Sequence, residues 1–247
     1  MGVMSSAQIR HMQESGRIVR MVLVGLRRAS VPGVSTAELD GMANEMIRSE
    51  GGSPSFLGYR GYPASVCISV NSVVVHGIPG PTKLAEGDLV SLDVGVVKSG
   101  YHGDAADSFL VGETPDPEAA RLVGVTYEAL GLGIDAARPG NRIGDIGAAV
   151  QRHVEHAGFS VVRDLVGHGI GRRLHEDPQV PNYGRPGTGI PLKPGMAIAI
   201  EPMVNRGGWH VRILDDGWTI VTEDGSLSAH AEHTVVVTGG EPLVLTA

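Results

Sequence analysis

A chain of 247 residues that is 42% hydrophobic and 19% charged can bury a sizeable core, as one large α/β domain or two small ones, and is not a disordered chain. No run reaches the roughly 18 uninterrupted apolar residues of a membrane span, and a formal charge of −7 argues against a surface built for specific nucleic-acid binding, even with Arg17, Arg20, Arg27 and Arg28 close together. Cys67 is the single cysteine, so no internal disulfide can form, and the apolar stretch Met21 to Leu26 is too short for a signal-peptide core; a cytoplasmic protein is expected.

Apolar or small residues at Ile9, Met12, Gly16, Val19, Leu23 and Leu26 recur at helical spacing and predict a long helix over Ala7 to Ala29, stopped by Val31-Pro32-Gly33. Met1-Gly2 with Ser6 fits the N-myristoylation pattern, which a plain initiator sequence explains more cheaply. Ser35 with Glu38 is a capping-box signature, and Leu39, Met42, Ala43, Met46 and Ile47 continue it into a second amphipathic helix closed by Gly51. A glycine, proline and tyrosine-rich loop follows, then a strand or pair of strands over Ser65 to Val75, ended by His76-Gly77-Ile78-Pro79.

The organising stretch is Asp88 to Asp107. Its first half alternates with the period of a strand, and Asp93 is one of few charges in an apolar run. Lys98-Ser99-Gly100 signals a turn. A two-residue loop at Lys98-Ser99 would set Asp104 directly opposite Asp93, with Cβ atoms roughly 5 Å apart. Two carboxylates that close are destabilising unless a shared proton or a cation compensates them.

The pattern then restarts. Asp116-Pro117 begins a helix over Glu118 to Ala137, Pro139-Gly140 breaks it, and a further helix runs from about Gly144 to Ala157 before Gly158. Pro32 to Pro139 is an offset of 107 residues, and Asp93 to Glu201, each six residues after a Leu-x-x-Gly, is an offset of 108. The agreement predicts a duplicated αα-then-β unit, halves about 1–115 and 116–247 of a single domain, each ending an apolar strand with an acid.

Acids and histidines beside glycine turns or strand ends are His76, Asp93, Asp104, His168, His175, Glu201 and Glu232. Singly, each is explained as a solvated strand end or a loop histidine. Together they would pile negative charge into one cavity, and a set rich in carboxylates with one or two imidazoles suits hard or borderline divalent ions, including a dinuclear centre with ions about 3.5 to 4 Å apart. One cysteine excludes a zinc finger.

Five segments in order, VHGIP from Val75, SLDVGVVKSGYHGDAADSF from Ser91, GHGIGRRLHEDPQVPNYG from Gly167, AIEPMVN from Ala199 and AEHTVVVT from Ala231, resemble a type I methionine aminopeptidase in its short bacterial form. The likeness spans nearly the whole chain. It implies an α+β pita-bread fold, with two pseudo-symmetric αα-β halves around a curved antiparallel sheet. It also implies five ligands, Asp93, Asp104, His168, Glu201 and Glu232, holding two divalent ions (Co2+, Mn2+, Fe2+ or Zn2+), with Asp104 and Glu232 bridging. The expected reaction is hydrolysis of an N-terminal methionyl bond by a hydroxide bridging the ions, when the second residue is small. His76, His175 and Glu201 would be catalytic, Glu201 as proton shuttle, with both histidines also touching substrate.

Tyr59, Tyr62, Cys67 and Trp218 match the family's methionine pocket, whereas Phe56 and Leu174 depart from it and would alter its shape. The implied partners are methionyl peptides and nascent chains, with the ribosome near its exit tunnel as a candidate; a monomer without a specific nucleic-acid or membrane partner is expected. Prolidase, aminopeptidase P and creatinase-like enzymes share the architecture and are the first rival, although they usually carry a further N-terminal domain; a metal-free binding module is the second.

Overall fold

The computed structural model describes residues 3–114 and 116–247, so Met1-Gly2 of the myristoylation pattern lie outside the described residues. The first half begins with α1 (Ser6–Ala29) and α2 (Thr36–Ser49), followed by β1 (Ser53–Pro54), a 3-10 turn Tyr59–Gly61, β2 (Cys67–Val70) and β3 (Val73–Val75). The long strands β4 (Leu89–Lys98) and β5 (Tyr101–Leu110) come next. Then follow α3 (Pro117–Ala136), α4 (Ile143–His156), β6 (Ser160–Val161), β7 (Gly167–Gly169), β8 (Glu176–Val180), β9 (Ala197–Ile200) and β10 (Met203–Asn205). The chain ends with β11 (Val211–Ile213), β12 (Ile220–Thr222), β13 (Ser228–His230), β14 (Glu232–Val236) and β15 (Leu243–Val244).

Local chemistry accounts for the helices. Ser35 and Glu38 form the reciprocal cap expected of them at α2, and Ser5 with Gln8 does the same at α1. Asp116 accepts from the Glu118 N–H at the start of α3, with Pro117 in the first turn, where its missing donor is not needed.

A nine-stranded sheet in the order β1-β4-β5-β14-β9-β7-β8, with β2 also on β4 and β15 on β14, carries the molecule, and every pairing in it is antiparallel. Buried side chains of α1 and α2, among them Ile18, Val22, Leu26, Leu39 and Ile47, form one core with Val90, Leu92, Val94 and Val96 of β4. Two further cores join α3 and α4 to the strands, one through Leu130 and Ile146 against Ile198, Ile200 and Val235, the other through Leu122 and Val150 against Leu89 and Val204. This is the α+β pita-bread arrangement.

Two expectations need correction. The β4–β5 turn sits at Ser99-Gly100, both at positive φ (53° and 76°), as a type I′ turn requires and Gly100 permits without strain. It lies one residue later than Lys98-Ser99, which moves every pairing by two: Asp93 faces Ala106, and Asp104 faces Gly95. The shift equals the side-chain period, so both acids stay on one face, as diagonal rather than direct neighbours. Asp93 also does not end its strand, since β4 runs on to Lys98.

Candidate metal centre and substrate cavity

Register builds the site. Cys67 pairs with Asp93, Asp93 with Ala106 and Ala106 with Glu232, a row across four adjacent strands. Ile200 pairs with His233, so Glu201, the next residue, comes level with Glu232 and extends the row to a fifth. Asp104 stands two residues from Ala106 on the same face. Gly169 pairs with Ile198, which places His168 level with Ala199, two residues before Glu201 and again on that face. Residues from Cys67 to Glu232 are thus gathered by strand pairing alone, with the small side chain of Ala106 in the middle of the row.

Asp104 and Glu232 are 3% and 2% exposed, and His168 8%. Among the described residues, the only ion-pair contacts of the four carboxylates are histidine Nε2 atoms: His168 lies 3.5 Å from Glu201 Oε1, and His230 lies 3.9 Å from Oε2 of both Glu201 and Glu232. Among the described residues, no arginine or lysine forms an ion pair with them. Asp93 Oδ1, Asp104 Oδ1 and Glu232 Oε1 are buried with no hydrogen-bond partner. Burial pushes the Asp93 carboxyl up to about 7. Burial, reinforced by the neighbouring acids, holds Asp104, Glu201 and Glu232 well above the usual carboxylate range.

Orphaned buried oxygens on clustered acids are what a bound cation would satisfy, and a donor set of several oxygens and few nitrogens matches hard or borderline divalent ions. One oxygen each of Asp104 and Glu232 and a nitrogen of His168 come close enough to hold one ion together. His168 is prepared for this role, because its Nδ1 meets the Gly169 carbonyl at 2.9 Å, which keeps the proton on Nδ1 and the lone pair on Nε2. Burial lowers its pKa to about 4, so the ring is neutral. The residues fit a divalent metal.

Every residue singled out from the sequence lines one cavity of about 530 Å³: His76, Asp93, Asp104, His168, His175, Glu201 and Glu232, together with Phe56, Tyr59, Tyr62, Cys67, Leu174 and Trp218. The last six form a separate apolar cluster with Ala64 and Ile78. Tyr62 and Trp218 meet edge to face with centroids 5.1 Å apart, and Trp218 and His76 do so at 6.3 Å. The Tyr62 hydroxyl reaches the Val66 and Gly77 carbonyls. The Phe56 ring lies over Gly95, where a Cβ would come within 2.6 Å of it, so any side chain there would displace the ring.

His76 holds a left-handed backbone (φ 59°), uncommon for a side chain of its size, directly after β3. Burial lowers its pKa. His175 lies outside the strands, its Nδ1 2.8 Å from the Tyr59 hydroxyl and its ring 4.2 Å from that of His168. Burial, then the charge His168 could carry, lowers His175 to about 3. With Tyr59 donating to Nδ1, the Nε2–H of His175 is free to donate.

The sequence had not singled out His230. It sits between two alanines, but its position two residues before Glu232 in extended chain was a usable signal, since such residues share a face.

Antiparallel strands that deliver buried acids and a metal-ready imidazole to the floor of a peptide-sized cleft define a metallohydrolase of the pita-bread type. Residues 10–239 match the model of metallopeptidase family M24, and the chain belongs to that family. It is 52% identical to a methionine aminopeptidase of Clostridium perfringens over 95% of this chain and 94% of that one. A crystal structure of methionine aminopeptidase from Thermotoga maritima superposes with a TM-score of 0.97 at 46% identity, covering 100% of this chain and 99% of the other. Within the family the chain therefore groups with the methionine aminopeptidases. A prolidase from Pyrococcus furiosus shares the fold alone, with a TM-score of 0.80 at 20% identity and 65% of its own length covered.

Proposed function

We propose that this chain removes methionine from the N-terminus of peptides and nascent proteins whose second residue is small, using two divalent ions. Asp93, Asp104, His168, Glu201 and Glu232 would hold them, with Asp104 and Glu232 shared between both. The observation that carries this reading is the row of buried acids without counter-charge, which a single ion would only partly neutralise. Co2+, Mn2+, Fe2+ and Zn2+ all suit such donors. When bound, the ions supply Lewis-acid polarisation of the scissile carbonyl and acidify water to a pKa of about 7.

The chain's own groups perform the remaining steps. Glu201 takes a proton from the attacking water and returns it to the departing amine. The Nε2–H of His175, oriented by Tyr59, donates to the oxyanion of the tetrahedral intermediate. His76 hydrogen-bonds the scissile nitrogen. The substrate's free α-amine would bind on the Asp93 side of the metal centre, at the Cys67 end of the row, which would account for action at a chain end. The apolar cluster of Tyr59, Tyr62, Cys67, Leu174 and Trp218 takes the methionine side chain, whose flexible thioether packs well against aromatic rings.

Nascent chains at the ribosomal exit, met in the cytoplasm by a monomer, are the setting this reading implies; among the described residues no helix is long and apolar enough to cross a membrane. The test is hydrolysis of Met-Ala-Ser beside Ala-Pro peptides, with and without chelator. Cleavage of the first alone, abolished by chelator, is expected. Preference for Ala-Pro would move the chain to the prolidase side of the family, and cleavage that survives complete metal removal would overturn the metal role.

A further inference from the structure

We propose that His230 is a positioning residue of the metal centre: its Nε2–H is shared between the Glu201 and Glu232 carboxylates and fixes which oxygen of each faces the ions. The inference rests on the metal reading above and adds to it a residue outside the ligand set.

His230 is 2% exposed, and its Nε2 has no hydrogen-bond partner. Leaving a buried donor unmatched is costly, and a second shell of donors around carboxylate ligands is how metal sites usually use such groups. Nε2 lies 3.9 Å from Oε2 of Glu201 and 3.9 Å from Oε2 of Glu232. The other oxygen of Glu201, Oε1, is the one 3.5 Å from His168 Nε2. Glu201 is therefore flanked by two imidazoles, one on each oxygen. If Oε1 turns toward an ion held with His168, Oε2 is left for His230. A distance of 3.9 Å is about 1 Å longer than a hydrogen bond, a gap that rotation of the carboxylate closes.

The backbone of His230 is clamped. Its N–H donates to Ser108 Oγ at 3.0 Å, and the same hydroxyl donates to its carbonyl at 2.7 Å. Ser108 Oγ also lies 2.6 Å from Ser91 Oγ, which must then be the donor. His230 further pairs with Met203, just past Glu201-Pro202, so the elements that place Glu201 and His230 are one ladder. The competing role is direct ligation, since Nε2 with one oxygen of each glutamate could surround an ion. That ion would lie at the Oε2 of Glu201, opposite the Oε1 that faces His168, whereas the donor role leaves the ligand set intact.

The test uses the full chain stripped of metal, then titrated with Mn2+ by calorimetry and with Co2+ by visible absorption, for wild type, His230→Gln, His230→Ala and His230→Leu. Loss of the shared donor is expected to weaken Mn2+ binding by about 10 to 100-fold in the Ala and Leu variants. His230→Gln keeps an N–H donor and should stay within a few-fold of wild type, with the Co2+ ligand-field bands unchanged. The metal-free melting temperature of His230→Leu should equal or exceed that of wild type, because an unmatched polar atom has been removed from the interior. Should the Ala variant fail to fold, the Leu and Gln variants still give the comparison. Unchanged Mn2+ affinity in a folded Leu variant would overturn the proposal and leave His230 structural. Altered Co2+ bands in His230→Gln, or loss of a full equivalent of metal, would overturn it in favour of direct ligation. If wild type itself bound no divalent ion, the metal reading would fail first and this inference with it.

Discussion

The floor and the wall of the cavity are built on opposite terms. The floor, Asp93, Asp104, Glu201 and Glu232 on paired strands, buries oxygens that meet no donor and pushes its carboxyls toward protonation. The wall, Phe56, Tyr62, Cys67, Leu174 and Trp218 from loops and strand ends, is satisfied as it stands: Leu174 is 2% exposed, rings meet edge to face, and the Tyr62 hydroxyl is bonded twice. One region needs a ligand to be at ease, and the other only needs to keep its shape. Substitutions in the floor should therefore change whether the reaction happens, and substitutions in the wall should change for whom.

The sharpest break is Asp104→Ala, which should abolish activity together with binding of at least one metal, because the acid proposed to bridge both ions is gone. The same change removes one of several mutually repelling buried acids, so the metal-free variant should melt no lower than metal-free wild type. Calorimetric metal titration with paired thermal melts reads both. A variant that kept two metals and full activity would refute the bridging role. His175→Ala comes next: a lowering of kcat by roughly 10² to 10³, the usual loss for one oxyanion donor, with metal content intact. Loss of metal in that variant would make His175 a ligand.

The carboxyls of the floor also predict a pH effect of known sign. Their folded pKa values are raised, so in the metal-free protein they add stability at low pH that is lost as pH rises through those values, for Asp93 from the usual range to about 7. His168, His175 and His230, lowered to about 4, 3 and 3, act in the opposite sense and lose stability as pH falls below their ordinary value. Comparing loaded with metal-free protein isolates the acids, because the histidines are already neutral in both near pH 6. The stabilisation by metal should widen as pH rises toward about 7, the value for Asp93, with affinity changing about tenfold per pH unit for each proton released. Binding enthalpies that do not vary with the ionisation enthalpy of the buffer would show that no protons leave.

The floor was largely legible in the sequence, and the reason is geometric. Strand alternation and the glycine turns around Asp93, Asp104, His168 and Glu201 mark acids and imidazoles that must share a face, and a register error of two residues, as at the Ser99-Gly100 turn, leaves that face unchanged. An error of one would have reversed it. What could not be read is whatever depends on distance through space rather than along the chain. For His230 the chain offered only its place two residues before Glu232; what fixes it is a ladder between β10 and β13 and the hydroxyl of Ser108, more than a hundred residues away in sequence. Ala106 is unremarkable as a letter and matters only because it stands between Asp93 and Glu232. The orientation of the Phe56 ring likewise depends on Gly95, which a linear pattern shows as one more glycine in a strand.

That ring carries the smallest and most specific prediction. Phe56 is 8% exposed and packs in the wall with Tyr62, Cys67 and Leu174, so it faces the cavity rather than away from it. An apolar wall distinguishes methionine from leucine only by shape and a few carbon contacts, which limits the preference in kcat/KM to roughly 10 to 200-fold. Phe56→Cys enlarges the space beside Gly95 and should admit the branched leucine side chain more readily, lowering the Met-over-Leu ratio by about tenfold, the lower end of that range. Losing a buried ring will also lower the melting temperature, but a ratio of two substrates on one enzyme preparation is independent of the fraction folded. With Ala at the first position as a third substrate, a fall in rate from Met to Ala in both proteins would show that the pocket still reads side-chain length when its width has changed. An unchanged Met-over-Leu ratio would reduce Phe56 to packing for Gly95 and leave selection to Tyr62, Leu174 and Trp218. Equal rates on all three substrates in wild type would sink the methionine pocket altogether and make the wall a general apolar surface above an otherwise intact floor.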